Sequence, residues 1–248
     1  MSIPILATPV QDQHHLQHIQ ACDTLLDGVT VVIPARNEAR SIGPLIARAQ
    51  RLSDEVIVVD GHSSDGTVAI ARDLGASVVM DNGKGKGDAI RVGMNAARYS
   101  ITVFMDADGS HDPSDIPRLV QPIRQAEYDL VIGSRGRGGS DELHGDVEKL
   151  LRMIGSDLIL IAINLRWKQS LTDSQNGFRA IRTEVARSLK LKEDITTIEQ
   201  EMTMKCLKRG HRVCDVPTHE YERQFGESTI KLHKVALRYV YSFLINLL

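Results

Sequence analysis

The chain has 248 residues, 42% of them hydrophobic, enough to bury one large α/β domain or two small ones, and one domain is the simpler reading. With 30 basic and 32 acidic residues the formal net charge is -2, which excludes the global field that draws proteins to nucleic acid. Cys22, Cys206 and Cys214 are too few and too scattered for a disulfide framework or a zinc site; they suit a reducing, cytoplasmic compartment and read as packing residues.

Residues 1–27 have neither a basic start nor a sustained apolar segment, so they read as a tail, partly helical, and not as a secretion signal or membrane span. From Val29, "VTVVIPARNE" gives a β-branched run stopped by Pro34, as in a buried parallel strand entering a loop. "ARSIGPLIARAQRL" reads as a helix with Pro44 near its start, where a missing N–H costs little. "EVIVVD" is a second strand, and "TVAIARDLG" a second helix closed by Gly75. "ASVVMD", the helix "DAIRVGMNAARYS", the strand "ITVFMDAD", the helix "PSDIPRLVQPIRQAEYD" and the strand "LVIGSR" complete the alternation. Repeated βα units predict an α/β fold with a mostly parallel sheet and helices on both faces.

Ligands of such sheets gather beyond the carboxyl ends of the strands. "PARNE", "DGHSSDGT", "DNGKGKG", "DADGSHD" and "SRGRGG" all fall at those ends, and clusters on one rim imply one site. Polarity alone is ordinary for loops, but it does not explain the confinement of Asp, Gly and Lys to one kind of connection. If Asp106 continues its strand, alternation turns Asp106 and Asp108 to one side and Ala107 to the other. Two carboxylates so close repel unless a cation or proton lies between them, and oxygen ligation favours Mg²⁺ or Mn²⁺, with substrate phosphates as further ligands. Read alone, D-x-D is also a solvated turn in which Asp caps a backbone N–H. In "DNGKGKGDAI", Gly83, Gly85 and Gly87 let backbone approach a ligand ahead of a helix N-terminus, and Lys84 and Lys86 add charge. Its spacing is neither that of a Walker loop nor that of a dinucleotide fingerprint, and a flexible hairpin-like loop is the alternative.

"VVIPARNEARSI", "EVIVVDGHSSDGT", "GKGDAIRVGM", "FMDADGSHDP", "VIGSR", "TDSQNGFRAI", "IEQEMTMKCLKRGHRVCDVP" and "YERQFGEST" fall in the order seen in family-two glycosyltransferases of the GT-A fold. The chain resembles the branch that holds dolichol-phosphate mannosyltransferases and polyprenyl-phosphate sugar synthases, from about Val29 to Thr229. The resemblance implies a GT-A glycosyltransferase domain over 28–229; residues 230–248 lie beyond it and read from their own pattern as an amphipathic helix. It implies that Pro34, Asn37, Glu38 and Asp60 hold the base and ribose of a nucleotide sugar, and that Lys86 lies beside the diphosphate. Asp106 and Asp108 match the motif that binds ribose, donor sugar and metal, while Ser110 stands where the family often has a metal-binding Gln. His111 reads as a loop residue. Arg135 and Arg223, joined by Arg179, match basic residues that neutralise phosphates, a task suited to a permanently charged guanidinium fork. Ser228 belongs to the substrate-binding set by the same carry-over; Thr229 replaces the family's lysine, leaving Lys231 or Lys234 as substitutes.

Inverting transfer to a hydroxyl needs a general base, whereas a phosphate acceptor, with a second pKa near about 6, is already anionic. Asp173 stands where relatives with hydroxyl acceptors carry that base; an acceptor-site or structural role is expected of it, with base catalysis as the lesser alternative, and Asp108, Arg135 and Asp173 form the expected catalytic set. The implied reaction moves a sugar from a GDP-mannose or UDP-glucose type donor to a polyprenyl or dolichyl phosphate, with Mg²⁺ or Mn²⁺ as cofactor. A soluble enzyme acting on a small hydroxyl acceptor is the alternative, and a nucleotidyltransferase a more distant one. The run Tyr239 to Leu248 is shorter than the roughly 20 residues of a bilayer span. It reads as an interfacial helix with Lys231, Lys234 and Arg238 near headgroups and Tyr239, Tyr241 and Phe243 at the boundary, or else as a helix packed on the domain or a second subunit. The expected setting is the cytoplasm, peripheral to the membrane's cytoplasmic face, and a homo-oligomer is compatible with the chain.

Overall fold

The computed structural model describes residues 26–141, 147–223 and 232–247. The alternating elements are β1 (Leu26–Ala35), α1 (Ile42–Ala49), β2 (Glu55–Asp60), α2 (Thr67–Asp73), β3 (Ser77–Met80), α3 (Lys86–Ala96), β4 (Tyr99–Phe104), α4 (Ile116–Arg124) and β5 (Leu130–Ser134). They continue with the single turn α5 (Arg135–Gly138), α6 (Val147–Trp167), β6 (Arg179–Arg182), α7 (Thr183–Ser188), α8 (Ile198–Lys208), β7 (Val213–Pro217) and α9 (Leu232–Leu247). The expected boundary after residue 27 falls inside β1. Ser228 and the helical reading of the N-terminal tail lie outside the described residues.

The seven strands form one sheet in the order β3-β2-β1-β4-β6-β5-β7. β1 carries it because its apolar side chains feed both faces in alternation. Val29, Val31 and Ile33 join α1 and α4 in one core cluster, while Val32 joins α3, α7 and α8 in the other. A strand buried on both sides needs the continuous apolar run the sequence shows there.

β6 pairs antiparallel with both β4 and β5, and every other pairing is parallel. β6 and β7 were not among the strands expected from the sequence. Their effect on the rim is large, because a reversed strand begins where its neighbours end. The loop 172–178 ahead of β6 therefore reaches the same edge as the loops that follow β1 to β5, and the segment after β7 reaches it too.

Candidate active site

Strand β4 stops at Phe104, so Asp106 and Asp108 are not strand residues, contrary to the alternation expected. They lie on the following turn, where Gly109 takes a left-handed φ of 81° and Ala107 drops into the core. The turn, not the pleat, directs the two carboxylates. Asp106 Oδ1 accepts from Lys86 Nζ at 2.6 Å, and Lys86 Nζ also lies 2.9 Å from Glu199 Oε1 on α8. Arg223 Nη2 is 3.0 Å from Asp108 Oδ2, while Ser110 donates from its backbone N and its Oγ to Asp108 Oδ1 at 3.0 and 2.7 Å. Burial pushes the Asp106 carboxyl up, but Lys86, then His111 and Arg223, outweigh it and hold the group at about 2. Glu38 shifts the other way: burial raises its pKa, and the Asp108 charge adds to the rise against the Ser41 hydrogen bond and Arg223.

The glycine-lysine loop departs from the role expected of it. Gly87 N donates to Asp194 O at 2.8 Å, and a Cβ on Gly87 would stand 2.3 Å from Glu193 O. The close backbone approach that needs glycine is made by the chain's own 193–194 segment. Lys86 is thereby held on the first turn of α3, two residues earlier than the helix expected from "DAIRVGM". Gly177 has a parallel reason: a Cβ there would meet Asp106 Oδ2 at 2.8 Å and Lys86 Nζ at 2.9 Å.

Arg135 and Asp173 form a two-pronged pair, Nε to Oδ2 at 2.7 Å and Nη2 to Oδ1 at 3.2 Å. Asp173 also accepts backbone N–H groups of Gln175 and Asn176, and Asp215 on β7 anchors its corner by accepting from Thr172 Oγ1 at 2.6 Å. Burial would raise the Asp173 carboxyl, yet the charge and hydrogen bonds of Arg135 hold it below the ordinary carboxylate range. A carboxylate so occupied is a poor proton acceptor, and its two oxygens hold the Arg135 guanidinium in one orientation. The segment after β7 joins the two halves of the rim. Glu220 is 3.5 Å from Arg135, Tyr221 N donates to Ser110 O at 2.9 Å, and Arg223 reaches Asp108.

Arg179, expected to join the arginines that neutralise phosphate, lies inside the domain. It is 1% exposed, and its guanidinium donates to Asn176 O at 2.9 Å, Glu199 O at 2.8 Å, Ser174 O at 3.3 Å and Thr203 Oγ1 at 3.2 Å. Those bonds leave it no face toward a substrate; it ties the loop 174–176 to α8. Burial lowers its pKa. At the opposite side of the rim, Asn37 has a left-handed φ of 58° and accepts Ser64 N at 2.8 Å, a conformation Asn tolerates better than most residues. Pro34 is paired with Val59 inside β1, which runs on to Ala35 beside Asp60 rather than stopping at the proline. Asp60 is fully buried: Oδ2 accepts Ser63 N at 2.9 Å, and Oδ1 has no hydrogen-bond partner among the described residues. Cys206 and Cys214 are pushed up to about 12 by burial, which fits packing and not thiolate chemistry; Cys22 is outside the described residues.

The residues fit a hard divalent cation in one particular mode. Among the described residues no three His, Cys, Asp or Glu side chains cluster to enclose a metal. Asp106 and Asp108 supply two carboxylates, and Mg²⁺ characteristically takes one or two carboxylates, water and substrate phosphates. His111 is buried and stacked on Phe178 at 5.0 Å, and neither ring nitrogen has a partner among the described residues. Glu199, Gly177 and Glu220 were not singled out from the sequence. Acidic residues in a first helical turn read as complements to the helix dipole, and nothing in "IEQEM" signals a reach to Lys86.

A mostly parallel sheet whose carboxyl rim gathers paired acids, Lys and Arg is a GT-A-type fold, and three comparisons bear on it. The family model described as Glycosyl transferase family 2 matches residues 30–190. Glycosyltransferase AglJ of Haloferax volcanii is 34% identical over 206 residues, 82% of this chain and 66% of that protein. Undecaprenyl-phosphate mannosyltransferase of Micrococcus luteus is 34% identical over 219 residues, 81% of this chain and 86% of that one. Among solved structures, glucosyl-3-phosphoglycerate synthase from Mycobacterium tuberculosis, in complex with Mn²⁺, UDP and glucosyl-3-phosphoglycerate, aligns with a TM-score of 0.68 at 21% identity, covering 98% of this chain and 86% of that one. At that identity the likeness speaks to the fold. The chain belongs to glycosyl transferase family 2 and is a glycosyltransferase.

Proposed function

We propose that the protein transfers a hexose, with inversion, from a nucleoside-diphosphate sugar to a polyprenyl or dolichyl phosphate. The observation that carries this reading is the engagement of Asp173 by Arg135. The carboxylate that would serve a hydroxyl acceptor as base is paired with Arg135 and held acidic, so the site suits an acceptor whose attacking oxygen is already ionised. A phosphate monoester does so at neutral pH. The names of related proteins, undecaprenyl-phosphate mannosyltransferase and dolichyl-phosphate hexose transferase of Haloferax volcanii (28% identical over 207 residues), support the same acceptor class.

In this reading Pro34, Asn37, Glu38 and Asp60 form the side that receives base and ribose. Lys86 and Arg223 meet the diphosphate, and Arg135, aimed by Asp173, meets the acceptor phosphate with fixed fork geometry. Asp106 and Asp108, with Ser110 orienting Asp108, hold Mg²⁺ or Mn²⁺. When bound, the ion supplies positive charge for the departing diphosphate. The chain's own cations act on the same charge from preset positions, the kind of electrostatic stabilisation that usually dominates such barriers.

The reading includes a peripheral membrane contact. α9 packs on α6 and α8, with Phe243 and Leu247 against the core, and Tyr239 donating from its hydroxyl to Thr196 Oγ1 at 2.7 Å. Tyr239 and Phe243 therefore face the domain, and Tyr241 alone of the three aromatics expected at a boundary is exposed. Leu237, Val240, Leu244 and Ile245 lie with it in solvent, as do Ile154, Leu158, Ile161 and Leu165 on α6. No helix among the described residues is long and apolar enough to cross a membrane. An apolar face on a helix without acidic residues suits a lipid surface, with Arg238 at its edge paired to Glu193 at 3.0 Å.

The test is labelled sugar transfer from GDP-mannose and UDP-glucose to polyprenyl phosphate, against a panel of soluble hydroxyl acceptors including phosphoglyceric acid. Turnover with the lipid phosphate and release of nucleoside diphosphate are expected, and Asp108→Asn should abolish the response to Mn²⁺. Transfer confined to hydroxyl acceptors would defeat the reading.

A further inference from the structure

Glu199 is 2% exposed and sits in the first turn of α8; Lys86 Nζ lies 2.9 Å from its Oε1, and the charge of the buried Arg179 guanidinium also acts on it. Apart from that ion pair, neither oxygen of the Glu199 carboxylate has a hydrogen-bond partner among the described residues. A buried carboxylate with so little compensation is a burden on stability, because desolvation is repaid only when the remaining lone pairs are satisfied. Its neighbours nevertheless fix it firmly. Glu199 O accepts from Arg179 Nη1 at 2.8 Å, and the Arg179 guanidinium locks α8 to the loop that ends at Gly177. Gly177 in turn leaves room for Asp106 and Lys86 to meet.

Resting on the proposed donor site, we infer that Glu199 is a positioning residue for Lys86, a dedicated second anchor that keeps the ammonium aimed at the diphosphate when Asp106 is engaged by a divalent cation. A lysine side chain is a point charge on a flexible four-carbon stem, so one partner fixes its distance and two fix its position. Asp106 is the more exposed of the two partners, at 27% against 2% for the Glu199 side chain. Asp106 is therefore the partner that ligands can reach, and Glu199 is the one they cannot. If Asp106 gives its oxygens to a cation, Lys86 keeps Glu199 and stays in place.

Isothermal titration calorimetry of the full chain with UDP and GDP, in Mn²⁺ and in chelator, tests this. Glu199→Gln should weaken nucleoside diphosphate binding in Mn²⁺ by about tenfold, Lys86→Met by a similar factor, and the double variant no more than Lys86→Met alone, since coupled residues are not additive. Glu199→Asp keeps the charge and should recover part of the affinity. Binding by Glu199→Gln within about twofold of the parent, or a double variant that loses the product of both factors, about a hundredfold, would overturn the inference. Should Glu199→Gln fail to fold, the same cycle with Glu199→Asp decides by the same non-additivity. A parent that binds neither nucleotide in Mn²⁺ would instead refute the donor site itself, a result distinct from normal parent binding with an inert Glu199.

Discussion

Arg179→Met separates a substrate contact from a structural tie. In the parent, Asn176 O accepts from both Nε and Nη2 of Arg179, whereas Ser174 O and Glu199 O also accept from Thr203 Oγ1 at 3.2 and 3.0 Å. Methionine fills much of the space but donates nothing, so Asn176 O loses both of these donors and the other two carbonyls keep one substitute. A buried unsatisfied carbonyl costs about 1–3 kcal/mol, which with the weakened neighbours suggests about 2–4 kcal/mol after allowing for the relieved desolvation of the guanidinium. For a domain of this size that corresponds to a fall of about 5–15 °C in midpoint. Differential scanning calorimetry on the full chain measures it. A midpoint within about 2 °C of the parent, combined with a tenfold or greater loss of nucleotide affinity, would place Arg179 at the ligand and refute the reasoning.

Two further perturbations probe the rim. Gly87→Ala should lower the urea midpoint despite alanine's better helix propensity of about 1 kcal/mol, because the added methyl would meet the Glu193 and Asp194 backbone at 2.3 and 2.8 Å and overpacking costs about 1–3 kcal/mol. A gain in stability would show that the 193–194 segment yields freely. The folded-state pKa of Asp106, about 2, lies below its ordinary value of 3.8, so the unfolded chain takes up the proton first as pH falls. Its contribution, about 2 kcal/mol at most, is present above pH 4 and lost as pH drops toward 2. Asp106→Asn should remove that part of the pH dependence, and unchanged denaturation profiles for parent and variant between pH 4 and 2 would contradict the pairing with Lys86.

The rim proposed as the donor side was legible in the chain because it is local. Apolar runs of β-branched residues followed by polar turns define β1 to β5, and the turn chemistry at each strand end marks the rim without any knowledge of what lies across the sheet. Asp106, Asp108 and Lys86 could be read there because each sits in the short connection that follows such an end, the two acids after β4 and the lysine where the β3 loop enters α3. Family resemblance added Arg135, Asp173 and Arg223, again as positions along a line.

What faces those residues was decided in three dimensions. β6 is four residues long and reads from sequence as the tail of a motif, yet its antiparallel insertion between β4 and β5 delivers Asp173 to Arg135 and Gly177 to Lys86. The glycines of "GKGKG" permit a close approach, but only the packed chain reveals that residues 193–194 make it. Likewise Arg179 and Arg135 look alike in sequence, and burial alone separates a guanidinium spent on carbonyls from one held beside a carboxylate at the rim. Backbone preference and side-chain period act over a few neighbours, whereas the partner of a buried charge is set by whichever distant segment the sheet order brings within 3 Å, the distance at which hydrogen bonds form.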